Sequence, residues 1–265
     1  MNKHLPAVIW AVTCLTSLFA QDKVEDLSRY FTGFDGCFVL YDEAKNETTV
    51  YNDAKCGKRV PPCSSFKIIH SLIGLETGVL RDEHTVFKWD GVKSPIPEWN
   101  RDQTLETAVK NSVVWYFQQV ALRVGKEKEQ YYVDKVNYGN RDLSGELTGF
   151  WLQSSLKISP REQIEVLKKF YHYQLPFSRR NVDMVKKIIV QSRGNGIIVS
   201  GKTGSGVTGG RAVNGWFVGY VEKGGGVYYF ALNIEGPSGA AGLKAKEIAL
   251  KILEDKKMHN ALRGQ

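Results

Sequence analysis

Cysteine is scarce in this chain, which has four in 265 residues. Cys14 lies in an apolar N-terminal segment, so Cys37, Cys56 and Cys63 are left for the folded part. Their spacing matches none of the Cys and His patterns that hold structural zinc, and we expect no metal site. Three thiols permit at most one internal disulfide, and the sequence leaves open which two would pair.

Long apolar runs are missing outside the first part of the chain. Residues 1–20 place Lys3 and His4 before an apolar stretch that ends at Ala20, the pattern of a secretory signal peptide. An uncleaved anchor is the alternative, because Leu18 is larger than the residue that a cleavage site prefers. We therefore expect an exported protein, periplasmic or extracellular in the cell envelope, with no stable membrane partner after cleavage.

A concentrated block of charge is also absent, although the formal net charge is +8. The basic residues are scattered along the chain and do not alternate with aromatic residues. A nucleic-acid surface would need them clustered on one face. We interpret them as parts of solvated helix faces and expect no nucleic-acid partner.

The segment GIIVSGKT, residues 196–203, has the glycine and lysine spacing of a phosphate-binding loop. It lacks the flexible residues that such a loop has between the glycines. Three of its four variable positions, Ile197, Ile198 and Val199, are β-branched and favour a strand. A phosphate loop opens a helix, whereas the strand-like segment WFVGYVE comes shortly after this one. We therefore predict a strand over 196–203 that ends in K-T-G.

Two β-rich ends enclose a helical middle. Residues 36–52 and 216–235 each predict a hairpin, and residues 244–257 predict a helix that covers the sheet. Because the two ends must meet in one sheet, we predict an α/β (α+β) fold with an antiparallel sheet flanked by helices and an inserted helical lobe. The predicted parts are a signal peptide (1–20), an α/β lobe (21–62 and 186–265) and a helical lobe (63–185), with the active site between the lobes.

The helical middle carries clear start and stop signals. Pro61 and Pro62 end the incoming chain, and a helix is predicted from Ser64 to Gly78. A second helix is predicted over 104–124. A third begins at a capping box that pairs Ser159 with Glu162 and places Pro160 in the first turn.

A candidate nucleophile lies at the start of the first predicted helix. Ser64 and Lys67 form S-x-x-K, and a spacing of three puts both side chains on one helix face. The motif alone is weak, because Ser154 and Lys157 repeat it before the capping box. An ordinary N-cap serine is the alternative for Ser64.

Three further motifs follow in a fixed order. They are S-V-V at 112–114, Y-G-N at 138–140 and K-T-G at 202–204, with Trp151 in F-W-L-Q between the last two. With S-S-F-K at 64–67, the chain resembles the class D serine β-lactamases, the oxacillinase group of the penicillin-binding-protein-like superfamily. The resemblance runs from Gly36 to the final helix. It implies that superfamily's fold and the hydrolysis of small-molecule β-lactams through an acyl-enzyme on Ser64.

A lysine can serve as a base only after its pKa has been lowered from about 10.4. We expect Lys67 to be buried among Phe66, Val114, Trp151 and Leu152, which would favour the neutral amine. A neutral amine can add carbon dioxide. The resemblance implies that it does, so that an N-carboxylated Lys67 is the general base for Ser64 and for water, with the Trp151 indole donating to it. No other cofactor is implied.

The resemblance also implies the remaining roles. Ser112 would relay a proton to the β-lactam nitrogen, and Lys202 would add positive charge. Thr203 would meet the substrate carboxylate, and the backbone N–H groups of Ser64 and Ser205 would form the oxyanion hole. By the same match, the substrate-binding residues are Val114, Leu152, Thr203, Gly204 and Ser205.

Several residues near these motifs are ambiguous. Tyr138 either shapes the site or merely packs, and Trp115 and Trp216 lie in apolar runs that predict core positions. The family usually carries an arginine after the last strand, and the register places Ala245 there. This departure leaves the substrate range open.

Two other functions fit parts of the pattern. A penicillin-binding transpeptidase or carboxypeptidase has the same nucleophile, but its middle motif usually ends in asparagine where this chain has Val114. A β-lactam sensor would be acylated and stay so. Turnover of the acyl-enzyme separates these alternatives.

Overall fold

The two β-rich ends of the chain meet in one seven-stranded sheet, as the sequence predicted. The computed structural model describes residues 22–259, so the predicted signal peptide lies outside the described residues. The strands are β1 (Lys23–Val24), β2 (Asp35–Asp42), β3 (Glu47–Tyr51), β4 (Val190–Gly194), β5 (Ile197–Thr208), β6 (Arg211–Lys223) and β7 (Gly226–Glu235). Their order is β1-β3-β2-β7-β6-β5-β4. Neighbours are antiparallel except at one edge, where β1 pairs with β3 in parallel.

Both predicted hairpins are confirmed, since β2 pairs with β3 and β6 pairs with β7. The predicted end of the strand at K-T-G is wrong. Strand β5 continues to Thr208 because it pairs with β6 along its whole length, and Lys202 faces Val218 in mid-strand. Gly206 therefore belongs to the strand, while Gly209 and Gly210 form the turn to β6. The sequence predicted neither β1, which has only two residues, nor β4.

The described part of the chain contains eight α-helices. They are α1 (Asp53–Cys56), α2 (Lys67–Glu76), α3 (Leu105–Lys110), α4 (Val114–Val124), α5 (Lys126–Val136), α6 (Pro160–Tyr171), α7 (Arg179–Ile188) and α8 (Gly242–Asp255). The helix predicted after Pro62 opens with a 3₁₀ turn, Cys63–Phe66, and the capping box of α6 is confirmed. Residues 22–259 contain no helix that is long and apolar enough to cross a bilayer.

The single helix predicted over 104–124 is wrong, because the structure has two helices there. Helix α3 ends at Lys110, and α4 begins at Val114. Between them Ser112 adopts a left-handed conformation with φ 56°, which a continuous α-helix does not allow. The break therefore turns Ser112 out of the helical path.

The sheet is buried on both faces. On β2, Cys37 and Val39 face the core that is shared with the helical middle, while Phe38 and Leu40 face the core beneath α8. Helix α8 packs against β5, β6 and β7, as predicted, and α6 packs against β2 and β7 from the other side. The predicted lobe boundary at 185/186 falls inside α7, which packs on α2 and α3.

The three cysteines of the described residues are all buried free thiols. Cys37 lies on β2 and Cys56 at the end of α1. Cys63 opens the 3₁₀ turn before α2. None of the disulfides that the sequence left open is formed in this structure.

Candidate active site

Ser64 and Lys67 face each other at the start of α2. Ser64 lies in the 3₁₀ turn that follows Pro62, and Lys67 is the first residue of the α-helix. The Lys67 Nζ donates to Ser64 Oγ at 2.8 Å. Ser65 turns away, since its hydroxyl donates to the Pro62 carbonyl at 2.8 Å. The S-x-x-K spacing thus places an amine directly on the candidate nucleophile.

The Lys67 side chain is entirely buried, with 0% of the residue exposed. Burial lowers the pKa of Lys67 well below its ordinary value, and the positive charge of Lys202 lowers it further. The Lys67 Nζ lies 5.1 Å from the centre of the Phe117 ring. The sequence did not identify Phe117 as a neighbour of Lys67. Phe117 follows Val114 by three residues on α4, so the two side chains share one face of the helix. A prediction that started α4 at Val114 would have indicated Phe117 as well.

The surroundings predicted for Lys67 are partly present. Phe66 and Trp151 are fully buried, and their rings stack at 6.4 Å. Val114, in the first turn of α4, and Leu152 are only half-buried.

Trp151 combines deep burial with an unused donor. The indole Nε1–H of Trp151 has no hydrogen-bond acceptor among residues 22–259. A buried donor without a partner is costly, so this N–H is available to an acceptor that the bare protein does not supply. The main chain fixes Trp151 to the nucleophile's turn, because the Cys63 N–H donates to the Trp151 carbonyl at 2.9 Å.

The turn before Ser64 is held by side chains of the sheet. Cys63 has φ 50°, a left-handed conformation that is unusual for a residue other than glycine. Asn214 and Trp216 on β6 both donate to the Pro61 carbonyl, at 2.9 and 2.8 Å. Burial raises the pKa of the Cys63 thiol to about 11, so this neighbour of Ser64 stays protonated at neutral pH. Trp216 is a core residue, as predicted.

A second lysine comes from the sheet and meets the break between α3 and α4. The Lys202 Nζ donates to Ser112 Oγ at 3.0 Å and to the Thr203 carbonyl at 3.1 Å. Burial, and secondarily the charge of Lys246, lower the pKa of Lys202 to about 7. At neutral pH, Lys202 can therefore both give and take a proton.

Gly204 lets β5 approach the nucleophile. A Cβ at this position would lie 2.7 Å from the Pro62 carbonyl oxygen and 3.0 Å from the Ser65 nitrogen. The Ser64 nitrogen would be 3.3 Å away. Next along the strand, Ser205 is exposed, and its hydroxyl accepts from the Gly242 N–H at 2.8 Å, at the start of α8. The missing side chain thus brings the β5 backbone against the Ser64 amide.

Comparison with known proteins identifies the family. The model of the penicillin binding protein transpeptidase domain matches residues 36–254. The probable beta-lactamase YbxI of Bacillus subtilis is 41% identical over 224 residues, 84% of this chain and 82% of that protein. A solved class D beta-lactamase from Bacillus subtilis has a TM-score of 0.85 at 38% identity, covering 89% of this chain and 98% of that one. The chain belongs to the class D β-lactamases of the penicillin-binding protein transpeptidase family.

A regulatory protein is among the relatives as well. The regulatory protein BlaR1 of Bacillus licheniformis is 40% identical over 234 residues. These residues cover 88% of this chain but 39% of BlaR1. The chain thus spans about two fifths of that relative, against about four fifths of YbxI.

The Y-G-N motif of this class D chain supports the segment after Trp151. The Tyr138 hydroxyl is buried and accepts from Gln163 Nε2 at 3.2 Å, and burial raises its pKa further above neutrality. The Asn140 side chain accepts from the Lys157 N–H and donates to the Ser155 carbonyl, both at 2.8 Å. Tyr138 is therefore a packing residue that remains protonated at neutral pH.

At the position where the family usually has arginine, Ala245 is buried in the core beneath α8. Its two lysine neighbours are engaged elsewhere. Lys244 pairs with Glu247 at 3.0 Å, and the Lys246 Nζ donates to Gln191 Oε1 at 2.6 Å. Neither lysine therefore occupies the position of the family's arginine.

The lowered pKa values predict a particular dependence of stability on pH. Lys67 and Lys202 bind protons less tightly in the folded protein than in the unfolded chain. From about pH 7 to about pH 8, where the cysteine thiols remain mostly protonated in both states, the unfolded chain carries more protons, so the free energy of unfolding should rise with pH. The slope is at most about 1.4 kcal/mol per pH unit for each lysine. Urea unfolding in carbon dioxide-free buffer measures it.

The variant Lys202→Met should flatten part of this rise, because Lys202 would no longer titrate. Lys128 is exposed on α5, so Lys128→Met is the control and should leave the slope unchanged. A parent protein whose stability is constant or falls over this pH range would contradict the lowered pKa values.

Proposed function

We propose that this chain hydrolyses β-lactam antibiotics through an acyl-enzyme on Ser64. The observation that carries the proposal is the contact at 2.8 Å between Ser64 Oγ and the Nζ of a fully buried lysine. The membership in the class D β-lactamases and the similarity to YbxI over most of both chains support it. Export, as residues 1–20 predict, would place the enzyme in the cell envelope, where β-lactams arrive.

The first step needs a base close to the serine. Ser64 Oγ attacks the lactam carbonyl carbon, its proton leaves, and the ring C–N bond breaks as the ester forms. Burial lowers the pKa of Lys67 and so favours the neutral amine, whose nitrogen has a lone pair to offer. The 2.8 Å contact is within the reach that proton transfer requires.

Two observations support carboxylation of Lys67 by carbon dioxide. Carbon dioxide adds to a neutral amine, which burial favours here. The product is an anion that needs buried donors, and the Trp151 N–H has no acceptor among residues 22–259. When bound, carbon dioxide would turn Lys67 into a carbamate, an anionic base for Ser64 and for the hydrolytic water.

The leaving nitrogen must receive a proton as the ring opens. Lys202 donates to Ser112 Oγ at 3.0 Å, and its pKa of about 7 suits a group that gives and regains a proton at neutral pH. Ser112 then passes a proton to the nitrogen and takes one from Lys202. Thr203, next to Lys202 on β5, binds the substrate carboxylate.

The developing oxyanion needs fixed donors. The backbone N–H groups of Ser64 and Ser205 supply them, the first from the turn before α2 and the second from β5. Gly204 makes their approach possible, since a side chain there would strike the Pro62 carbonyl.

A β-lactam receptor is the second candidate function, favoured by the 40% identity to BlaR1. Both functions share acylation of Ser64 and differ in whether water later cleaves the ester. The similarity to YbxI covers four fifths of that protein, whereas BlaR1 is matched over two fifths, which favours the enzyme.

Incubation with benzylpenicillin should add the intact mass of the drug to Ser64. The adduct should then decay as hydrolysed penicillin accumulates, because the ester turns over. Ser64→Ala should take up none, and Ser154→Ala, the matched control in the second S-x-x-K, should label like the parent. Time-resolved mass spectrometry and peptide mapping give these results. An adduct on Ser154 would refute the nucleophile, and an adduct that persists would favour the receptor.

Gly204→Ala should slow acylation by about 100-fold, because the added methyl pushes β5 away from the Ser64 turn. Gly194→Ala on the neighbouring strand β4 is the control, because its methyl would meet nothing within 4 Å. Stopped-flow acylation by a chromogenic cephalosporin measures both. Equal rates in the two variants would argue against a role of the close approach.

Trp151→Phe keeps most of the packing but removes the N–H donor, so deacylation should slow more than acylation. Acylation is assisted by ring strain, whereas deacylation must activate water against an ordinary ester. A burst followed by slow turnover is expected, and added bicarbonate should partly restore the slow phase. Trp151→Ala should behave similarly and be less stable. If Trp151→Phe turns over like the parent, the indole N–H has no catalytic role.

A further inference from the structure

A fully buried polar pair lies behind Lys67. His70 is on α2, one turn after Lys67, and Glu129 is on α5. The His70 Nε2 lies 2.9 Å from Glu129 Oε1, which is hydrogen-bond distance. Both side chains are 0% exposed. The proposed reaction assigns no part to either residue.

His70 touches all four rings of an aromatic cage, which we define as Phe66, Phe117, Phe150 and Trp151. The imidazole meets Trp151 edge-on, with ring centres 4.9 Å apart and an interplanar angle of 68°. The ring centres of Phe66 and Phe117 are both 5.3 Å away, and that of Phe150 is 6.3 Å away. The His70 ring is therefore a neighbour of all four rings of the cage, and its orientation affects how each of them packs.

The cage reaches Lys67 directly. Phe117 lies under the Lys67 Nζ, at 5.1 Å, and Trp151 carries the unpartnered indole N–H. A rotation of the His70 ring would change its contacts with Trp151 and Phe117 together. The contact between α2 and α5 thus lies directly behind the residues that surround the amine.

Burying such a polar pair costs free energy that an apolar pair of similar size would not cost. The second polar atoms, His70 Nδ1 and Glu129 Oε2, have no hydrogen-bond partner among residues 22–259. Two apolar side chains would pack here without leaving buried polar atoms unsatisfied. What a hydrogen bond adds beyond packing is direction, because it fixes the angle of the imidazole ring.

We infer that the His70–Glu129 hydrogen bond positions the aromatic cage so that Lys67 can be carboxylated. The inference rests on the proposed function and extends it to α5. His70 and Glu129 are positioning residues, since they act through Trp151 and Phe117 and not on the substrate.

The decisive comparison is Glu129→Leu against Glu129→Gln. The side-chain amide of glutamine has both a donor and an acceptor and can still hydrogen-bond to His70, whereas leucine fills the space and leaves the imidazole ring without a hydrogen bond. With ¹³C-bicarbonate, the carbamate signal assigned to Lys67 by its loss in Lys67→Met should fall by at least half in Glu129→Leu. In Glu129→Gln it should stay close to that of the parent.

Kinetics give an independent readout. In Glu129→Leu, the bicarbonate concentration for half-maximal activity should rise at least fivefold. The value of kcat should fall while the acylation rate changes less. The double variant His70→Phe with Glu129→Leu restores an apolar contact, so it keeps the protein folded without the hydrogen bond. It should retain the weak carbamate signal.

Lys55→Met is the matched control for lost stability. It breaks another ion pair of a buried side chain, because the Lys55 Nζ donates to Asp35 at 3.1 Å and to Glu235 at 2.5 Å. It should lower Tm and leave the carbamate signal unchanged. If Glu129→Leu and the double variant both keep the parent's signal and bicarbonate response, the inference is overturned. A parent with no carbamate signal and no turnover would overturn the proposed function, and this inference with it.

Discussion

The burial of one amine, that of Lys67, is the constraint on which the rest of the site depends. An ammonium group in this position would lose its water without gaining an anion, so the neutral amine is favoured. The core that excludes water is shared between the sheet and the helical middle, and it contains Trp151 and Phe117. The fold and the chemistry are thus linked, because whatever loosens this core also lets the amine become charged.

A second buried lysine, Lys202, reaches the site from strand β5 of the sheet. Lys202 is also buried, and its charge, when present, opposes a charge on Lys67. It reaches Ser112 because the helix predicted over 104–124 is interrupted there, and it reaches this depth because Gly204 lets β5 pass close to the nucleophile's turn. Two backbone features, a left-handed serine and a glycine, therefore set the distances that side chains use.

Local signals explain what could be predicted from the sequence. The hairpins, the capping box at Ser159 and the final helix follow from period, turns and caps, and all are present. The break at Ser112 could not be predicted, because its contact with Lys202 spans 90 residues of chain. The His70–Glu129 pair joins residues 59 apart and is likewise invisible to local patterns. The motifs identified Ser64 and Lys67 and predicted that Lys67 is buried, but only the packing shows that Phe117 and the charge of Lys202 adjoin its amine.

The most direct test of this account is the titration of Lys67 itself. In protein labelled with ¹³C at the lysine ε-carbon and kept free of carbon dioxide, the Lys67 signal can be assigned by its loss in Lys67→Met. The account predicts the chemical shift of a neutral amine at pH 7, with protonation only in more acidic buffer if the fold survives there. A Lys67 signal that titrates near the ordinary lysine value of about 10.4 would contradict it.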